Sequence, residues 1–123
     1  MQQFRFLEWE VYQDSQELFS FIHSVVKKLP REYRFELGSQ ILRSASSIIL
    51  NLAEGSGKES EKELNRFIET SLGSLYETLA NLDILYTNNL IPQDKFEAGK
   101  KKITSICNQL GGFKKKLKLW TRR

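Results

Sequence analysis

The chain has 123 residues, of which 40% are hydrophobic and 28% charged, and its formal net charge is +4. This length suits one domain with its own hydrophobic core, so we expect a single domain over residues 1–123. The single cysteine, Cys107, excludes an internal disulfide. The N-terminus lacks the pattern of a signal peptide, and no uninterrupted apolar run exceeds the three residues at 48–50, far too few to span a membrane. We therefore expect a soluble, cytoplasmic protein.

Charge is distributed unevenly along the chain. Residues 93–123 hold ten Lys and Arg residues and two acidic residues, a net charge of +8, which leaves −4 for residues 1–92. Such an asymmetry indicates either an anionic partner for the C-terminal segment or pairing of basic and acidic surfaces between copies of the chain.

Hydrophobic residues recur at helical spacing through most of the chain, and no segment shows the alternation of a β-strand. The first helix is predicted from Trp9 to Lys28, because the residue before Pro30 is disfavoured in a helix. Its inward-facing stripe is predicted to consist of Phe19, Ile22, Val25, Val26 and Leu29.

The second helix is the centre of the predicted fold. It is predicted from Tyr33 or Phe35 to Glu54, ahead of a glycine-rich stop at residues 55–57, with residues 31–34 as a candidate separate turn. One broad arc of this helix is apolar and consists of Leu37, Ile41, Ala45, Ile48, Ile49 and Leu52. Leu50 lies outside this arc, which predicts that the helix contacts something on a second side.

Two further helices complete the pattern. The third is predicted to begin with a capping box at Ser60 and Glu63 and to end near residues 88–89, with its core formed by Leu64, Phe67, Ile68, Leu72, Leu75, Leu79, Leu82 and Tyr86. The fourth is predicted to begin at Pro92, and Gly111-Gly112 is expected to kink or fray it. Its heptad-like seam consists of Phe96, Ile103, Ile106, Leu110, Phe113 and Leu117. Four long helices with short connections predict an all-α fold, an antiparallel up-down-up-down four-helix bundle.

A polar strip follows the second helix opposite its apolar arc, and polar residues of the third helix are expected to face it. Gly73 lies in the middle of the third helix, where glycine costs about 1 kcal/mol relative to alanine, so we expect a close approach of the second helix there. Arg43 and Glu77 are expected to form a partly buried ion pair. The strip is interpreted as structural, with a ligand-binding site as the alternative, and it consists of Gln40, Arg43, Ser47, Asn51, Glu54, Ser74 and Glu77.

No combination of residues indicates catalysis or a metal site. His23 is the one histidine, and the residues four positions away from it are Phe19 and Lys27, neither of which is a metal ligand. Cys107 follows Ile106 in an apolar pattern and is predicted to be a core residue. We therefore expect no enzymatic activity, no cofactor and no metal.

The basic residues of the fourth helix are candidates for nucleic-acid binding. They lie away from the apolar seam, and an excess of positive charge suits phosphate groups. The alternative is a helix face that is merely solvated. The candidates are Lys101, Lys115, Lys116, Arg122 and Arg123.

The second and third helices carry a pattern that resembles a known family. The run Gln40-x-x-Arg43-x-Ala45-x-Ser47-Ile48-x-x-Asn51-x-Ala53-Glu54-Gly55, followed by Gly73-Ser74-x-x-Glu77, resembles the four-helix bundle proteins encoded in intervening sequences of bacterial 23S rRNA genes. Leu7, Val11-Tyr12-Gln13, Pro30 and Glu32 resemble the opening of that family, so the resemblance covers nearly the whole chain. Relatives often carry proline where this chain has Ile49, so the sequence gives no reason to expect a proline kink in the second helix.

The resemblance implies a single-domain bundle that assembles into a homopentameric ring and has no enzymatic activity. It also implies a relation to the accessory protein of diversity-generating retroelements, which forms a similar ring, binds nucleic acid and contacts a reverse transcriptase. Two hypotheses follow for this chain. It binds structured RNA or DNA through the basic fourth helix, or it is an interaction scaffold that recruits a protein partner without contacting nucleic acid.

Overall fold

Four long helices form the structure, a computed structural model that describes residues 3–121 and the side chains of residues 3–117. They are α1 (Glu10–Lys27), α2 (Ser39–Ser56), α3 (Glu61–Thr87) and α4 (Gln93–Thr121). A 3-10 turn at Arg5–Glu8 precedes α1, and two short elements, a helical turn at Arg31–Tyr33 and a π-helical turn at Arg34–Gly38, connect α1 to α2. The predicted all-α fold is confirmed, as is the separate turn ahead of the second helix.

Neighbouring helices run in opposite directions. At the two ends of the α3–α4 contact, Tyr86 stacks on Phe96 and Lys114 pairs with Glu69, which is possible only if the helices are antiparallel. The other pairs in contact are α1 with α2, α2 with α3, and α1 with α4. The bundle is therefore a square of antiparallel neighbours, in which α2 lies diagonally opposite α4.

The core lies along the axis of this square and confirms the predicted stripes. The buried hydrophobic residues are Val11, Leu18, Ile22, Val25, Val26, Leu29, Ile41, Ala45, Ile48, Ile49, Leu52, Leu64, Ile68, Leu75, Leu82, Leu85, Ile91, Ile103, Ile106, Leu110 and Leu117. Several predicted core residues, mostly aromatic, are half-buried at the edge of this cluster, including Phe19, Tyr86, Phe96 and Phe113. Each fully buried Leu or Ile side chain contributes about 1.5–3 kcal/mol, so burial of this set is the main driving force for folding.

The ends of the helices follow the local signals in the sequence. Ser60 caps α3, because its hydroxyl oxygen accepts the backbone N–H of Glu63 at 3.1 Å. Pro92 lies immediately before α4. An N–H at the start of a helix has no partner within the helix, so the N–H that proline lacks is not needed there. Of the expected kink or fraying at Gly111-Gly112, the fraying is wrong, since α4 continues through both glycines. Packing of the flanking Leu110 and Leu117 in the core outweighs the weak helix propensity of the two glycines.

The π-helical turn before α2 is the main departure from the predicted boundaries. A Cβ atom on Gly38 would lie 2.7 Å from Val26 Cγ1, so only glycine allows this close approach to α1. The Nε of Arg34 donates to the carbonyl oxygen of Leu29 at 2.8 Å and ties the turn to the end of α1. The turn leaves the Phe35 side chain 82% exposed.

Gly99 provides a test of helix packing. A Cβ atom at this position would overlap Leu82 Cδ2 and lie 3.1 Å from Phe21 Cε2, whereas one at Gly112 would meet nothing within 4 Å. We expect Gly99→Val to lower the free energy of unfolding by about 1–3 kcal/mol more than Gly112→Val, because overpacking acts at the first position alone. Urea denaturation measures the difference, and equal effects of the two substitutions would contradict this packing.

Candidate nucleic-acid interface and polar strip

The outer side of α4 presents the described members of the predicted basic surface. Lys101, Lys115 and Lys116 are all exposed. Fourteen residues of helix separate Lys101 from Lys115, which puts their Cα atoms about 21 Å apart and on the same side, within about 40° of rotation. The other two candidates, Arg122 and Arg123, lie outside the described residues.

The surroundings of these lysines differ along α4. Near Lys101, a groove between α1 and α4 is also lined by Asp14 and Glu17, whose carboxylates offset its charge. Near the other end, Lys114 is half-buried and pairs with Glu69 at 3.2 Å. Of the three described candidates, Lys115 and Lys116 are therefore the two that lie outside this acidic groove and form no ion pair with a described residue.

Part of the predicted polar strip does join α2 to α3. The hydroxyl oxygens of Ser47 and Ser74 lie 2.8 Å apart, and the Asn51 amide donates to the Ser47 carbonyl oxygen at 2.8 Å. For these three residues the hydrogen bonds agree with the structural interpretation of the strip.

Three buried hydroxyl residues in the same contact were not predicted. Ser71 donates to the carbonyl oxygen of Ile48 at 3.0 Å. The Thr78 hydroxyl oxygen lies 2.7 Å from the carbonyl oxygen of Ser74 and 2.9 Å from the Ser44 hydroxyl. The signal was present in the sequence, because small hydroxyl residues recur on α3 at spacings of three and four and allow α2 to approach closely.

The expected ion pair between Arg43 and Glu77 is wrong within the chain. Both side chains are exposed, and Lys114–Glu69 is the one ion pair between described residues. Gln40 and Glu54 are exposed as well. The strip is wider than the contact between α2 and α3. Its charged residues, Arg43, Glu54 and Glu77, therefore lie on the exposed outer side of the bundle beside that contact.

The expected close approach of α2 at Gly73 is also wrong. A Cβ atom at this position would meet nothing within 4 Å, and the residue is exposed. Packing inside the subunit therefore gives no reason for a glycine here.

The remaining chemically interesting residues show no activating environment. His23 is exposed and stacks on Phe19, with ring centroids 6.4 Å apart. Cys107 is half-buried, and burial raises the pKa of its thiol, so the thiol is less nucleophilic than a free cysteine at neutral pH. Within the described residues no group of three or more His, Cys, Asp or Glu side chains is placed to hold a metal ion. None of the helices described is long and apolar enough to cross a membrane.

Thr78 tests the buried hydroxyl network. Thr78→Val keeps the shape of the side chain but removes its hydrogen bonds, and we expect a loss of about 1–2 kcal/mol in the free energy of unfolding. Thr104→Val is the matched control, because Thr104 makes the same kind of bond to a carbonyl four residues earlier but is exposed. Denaturant melts compare the two, and an equally small effect of both would show that the network does not stabilise the α2–α3 contact.

Comparisons with known proteins agree with this fold. The family model described as 23S rRNA-intervening sequence protein matches residues 8–112. A crystal structure of a protein of unknown function from the S23 ribosomal protein family of Bacteroides thetaiotaomicron is similar, with a TM-score of 0.79 and 26% sequence identity. That match covers 85% of this chain and 98% of the other. No curated protein matches this chain.

The family match extends over most of the chain and includes the whole polar strip. The pattern on α2 and α3 that carried the resemblance lies within the matched residues. This chain belongs to the 23S rRNA-intervening sequence protein family.

Proposed function

We propose that this chain is a non-enzymatic, homo-oligomeric, cytoplasmic protein that binds RNA or DNA through the outer side of α4. The observation that supports binding best is the exposed pair Lys115 and Lys116, neither of which forms an ion pair with a described residue. Their charge is part of the +8 of residues 93–123. A helix surface of this sign attracts phosphate groups.

The chemistry of the surface favours contacts with the phosphate backbone of a nucleic acid over recognition of its bases. A lysine ammonium group is a mobile point charge that meets phosphates without a fixed geometry. Contacts of this kind position a protein on nucleic acid but carry no sequence information. We therefore propose weak binding that tolerates many sequences of structured RNA or DNA.

Self-association would strengthen such weak binding. The family resemblance implies a ring of five subunits, and every subunit would repeat the same basic surface. After one surface has bound, the others act at a high effective concentration along the same nucleic acid. The oligomer is thus part of the proposed binding mechanism.

An interaction scaffold is the second candidate function. Two large aromatic side chains favour it, since Phe35 is 82% exposed and Tyr76 is 73% exposed. Exposed aromatic residues commonly anchor protein interfaces. In this alternative the ring recruits a protein and the α4 lysines are merely solvated.

Charge reversal at the end of α4 separates the two candidates. We expect Lys115→Glu/Lys116→Glu to weaken binding to all sequences alike. Every phosphate that the variant no longer neutralises should reduce the salt dependence, the slope of log affinity against log salt concentration, by about 0.9 for duplex DNA. Fluorescence anisotropy over a salt series measures both effects.

The matched control is Lys27→Glu/Lys28→Glu. These adjacent lysines are also exposed, and the substitution changes the net charge equally, but they lie at the opposite end of the bundle from Lys115 and Lys116. The control should retain most of the affinity and the slope. Absence of binding by the unaltered protein at about 50 mM salt would favour the scaffold, and equal weakening in both variants would show that binding depends on net charge and not on the end of α4.

The proposed self-association has its own measurement. We expect light scattering at micromolar concentration to give a multiple of the 14.4 kDa subunit mass, with a five-fold contribution from each ring of the kind that the resemblance implies. A mass of one subunit would refute the oligomer and leave the charge-reversal experiment to decide on nucleic-acid binding.

A further inference from the structure

One side of the bundle, formed by the outer surfaces of α2 and α3, is uncovered in the subunit. We call it the α2/α3 face and define it by six exposed residues. They are Arg43, Leu50 and Glu54 on α2, and Arg66, Gly73 and Glu77 on α3.

The two helices carry the same arrangement on this face. On each, an arginine is followed after seven residues by an uncharged residue and after eleven by a glutamate, so all three lie on one side of the helix. The Ser47–Ser74 hydrogen bond fixes how the antiparallel helices align. One turn from that bond, Arg43 is level with Glu77, and in the other direction Glu54 is level with Arg66.

The sign of the charge therefore alternates around the face. Each end has one arginine and one glutamate, and the ends are about 16 Å apart along the helices. None of the four forms an ion pair with a described residue, and their charges sum to zero. A face of this kind has no net attraction for nucleic acid or for another partner of a single sign.

The middle of the face combines a large and a small residue. Leu50 is 64% exposed although it lies in the middle of α2. Gly73 has open space where a side chain would be, and it weakens α3 by about 1 kcal/mol relative to alanine. An uncharged centre with a charged rim is the usual anatomy of a protein interface, and a glycine lets another backbone approach closely.

We propose that the α2/α3 face binds the same face of a second copy of this chain. The proposal rests on the homo-oligomer proposed above and identifies one of its contact surfaces. A second copy can be rotated by 180° about an axis that lies in the plane of the face, so that the two faces pack against each other. In that arrangement every arginine lies opposite a glutamate of the other copy. This complementarity to itself is the reason for choosing a second copy over an unrelated partner.

A contact of this kind relates two copies by a two-fold axis. Acting alone it gives a dimer, and acting beside ring-closing contacts it joins two rings. In either case, disruption of the contact halves the mass of the assembly. The proposal can therefore be tested without knowing the subunit number.

Gly73→Trp tests the contact directly. The side chain points into open space in the subunit, so the fold should be retained, but the indole ring would keep the two faces apart. We expect light scattering to give half the mass of the unaltered protein, with unchanged helical content by circular dichroism. Gly112→Trp is the matched control, because Gly112 is also an exposed glycine with open space around it within a helix, but it lies on α4. The mass of the assembly should be the same for this variant as for the unaltered protein.

Charge reversal gives an independent test that does not depend on a bulky residue. Arg43→Glu should raise the dissociation constant of the contact at least about tenfold, because like charges then oppose each other across it. A second reversal in the same chain should restore association. Glu77→Arg restores it if α2 lies against the partner's α3, and Glu54→Arg restores it if α2 lies against the partner's α2.

The outcomes separate this proposal from the proposed oligomer. An unaltered protein that is monomeric refutes both. An oligomer whose mass is the same with Gly73→Trp and whose association is the same with Arg43→Glu refutes the α2/α3 contact alone. Weakening by Arg43→Glu that neither second reversal restores also overturns the proposal, since the face would then bind something other than itself.

Discussion

The close contact between α2 and α3 determines how the surface of this bundle is divided. Small hydroxyl residues let the two helices approach until Ser47 and Ser74 bond directly and Ser71 reaches a backbone carbonyl of α2. Each buried hydroxyl needs a partner, since an unpaired one would cost about 1–3 kcal/mol. The contact therefore fixes the rotation of both helices, and with it which side chains lie in the core and which face outward.

That rotation separates the two proposed surfaces. The α2/α3 face lies along one side of the bundle, while α4 lies diagonally opposite α2 and packs mainly against α1 and α3. Two copies joined through their α2/α3 faces would keep the outer sides of both α4 helices exposed. The proposed self-association and the proposed nucleic-acid binding are thus compatible in one assembly, because the first would use a neutral face and the second a basic one.

Much of the fold was predictable because hydrophobic spacing and helix ends are local signals. Ser60 and Pro92 mark helix starts correctly, and Ile22, Ile68 and Ile106 lie in the core as their spacing predicts. The π-helical turn was not predictable, because it depends on contact between Gly38 and Val26, which are twelve residues apart.

The candidate sites were predicted less completely for a similar reason. Periodicity places Lys101, Lys115 and Lys116 on the outside of α4 but does not show that Lys114 pairs with Glu69. It predicts that Arg43 and Glu77 lie at the same height along the bundle, but it does not show whether their side chains are buried or exposed. Whether a residue at the border between the buried and exposed sides of a helix is buried depends on how the neighbouring helix is rotated about its axis. Only the folded bundle shows that rotation.

Lysine footprinting tests nucleic-acid binding through α4 most directly. The protein is acetylated briefly with and without a short structured RNA, and the modification of each lysine is measured by mass spectrometry. Binding through the outer side of α4 predicts strong protection of Lys115 and Lys116, weaker protection of Lys101 and no change at Lys27, Lys28 and Lys62. Equal modification at all six positions with and without RNA, at a concentration where binding is observed, would contradict it.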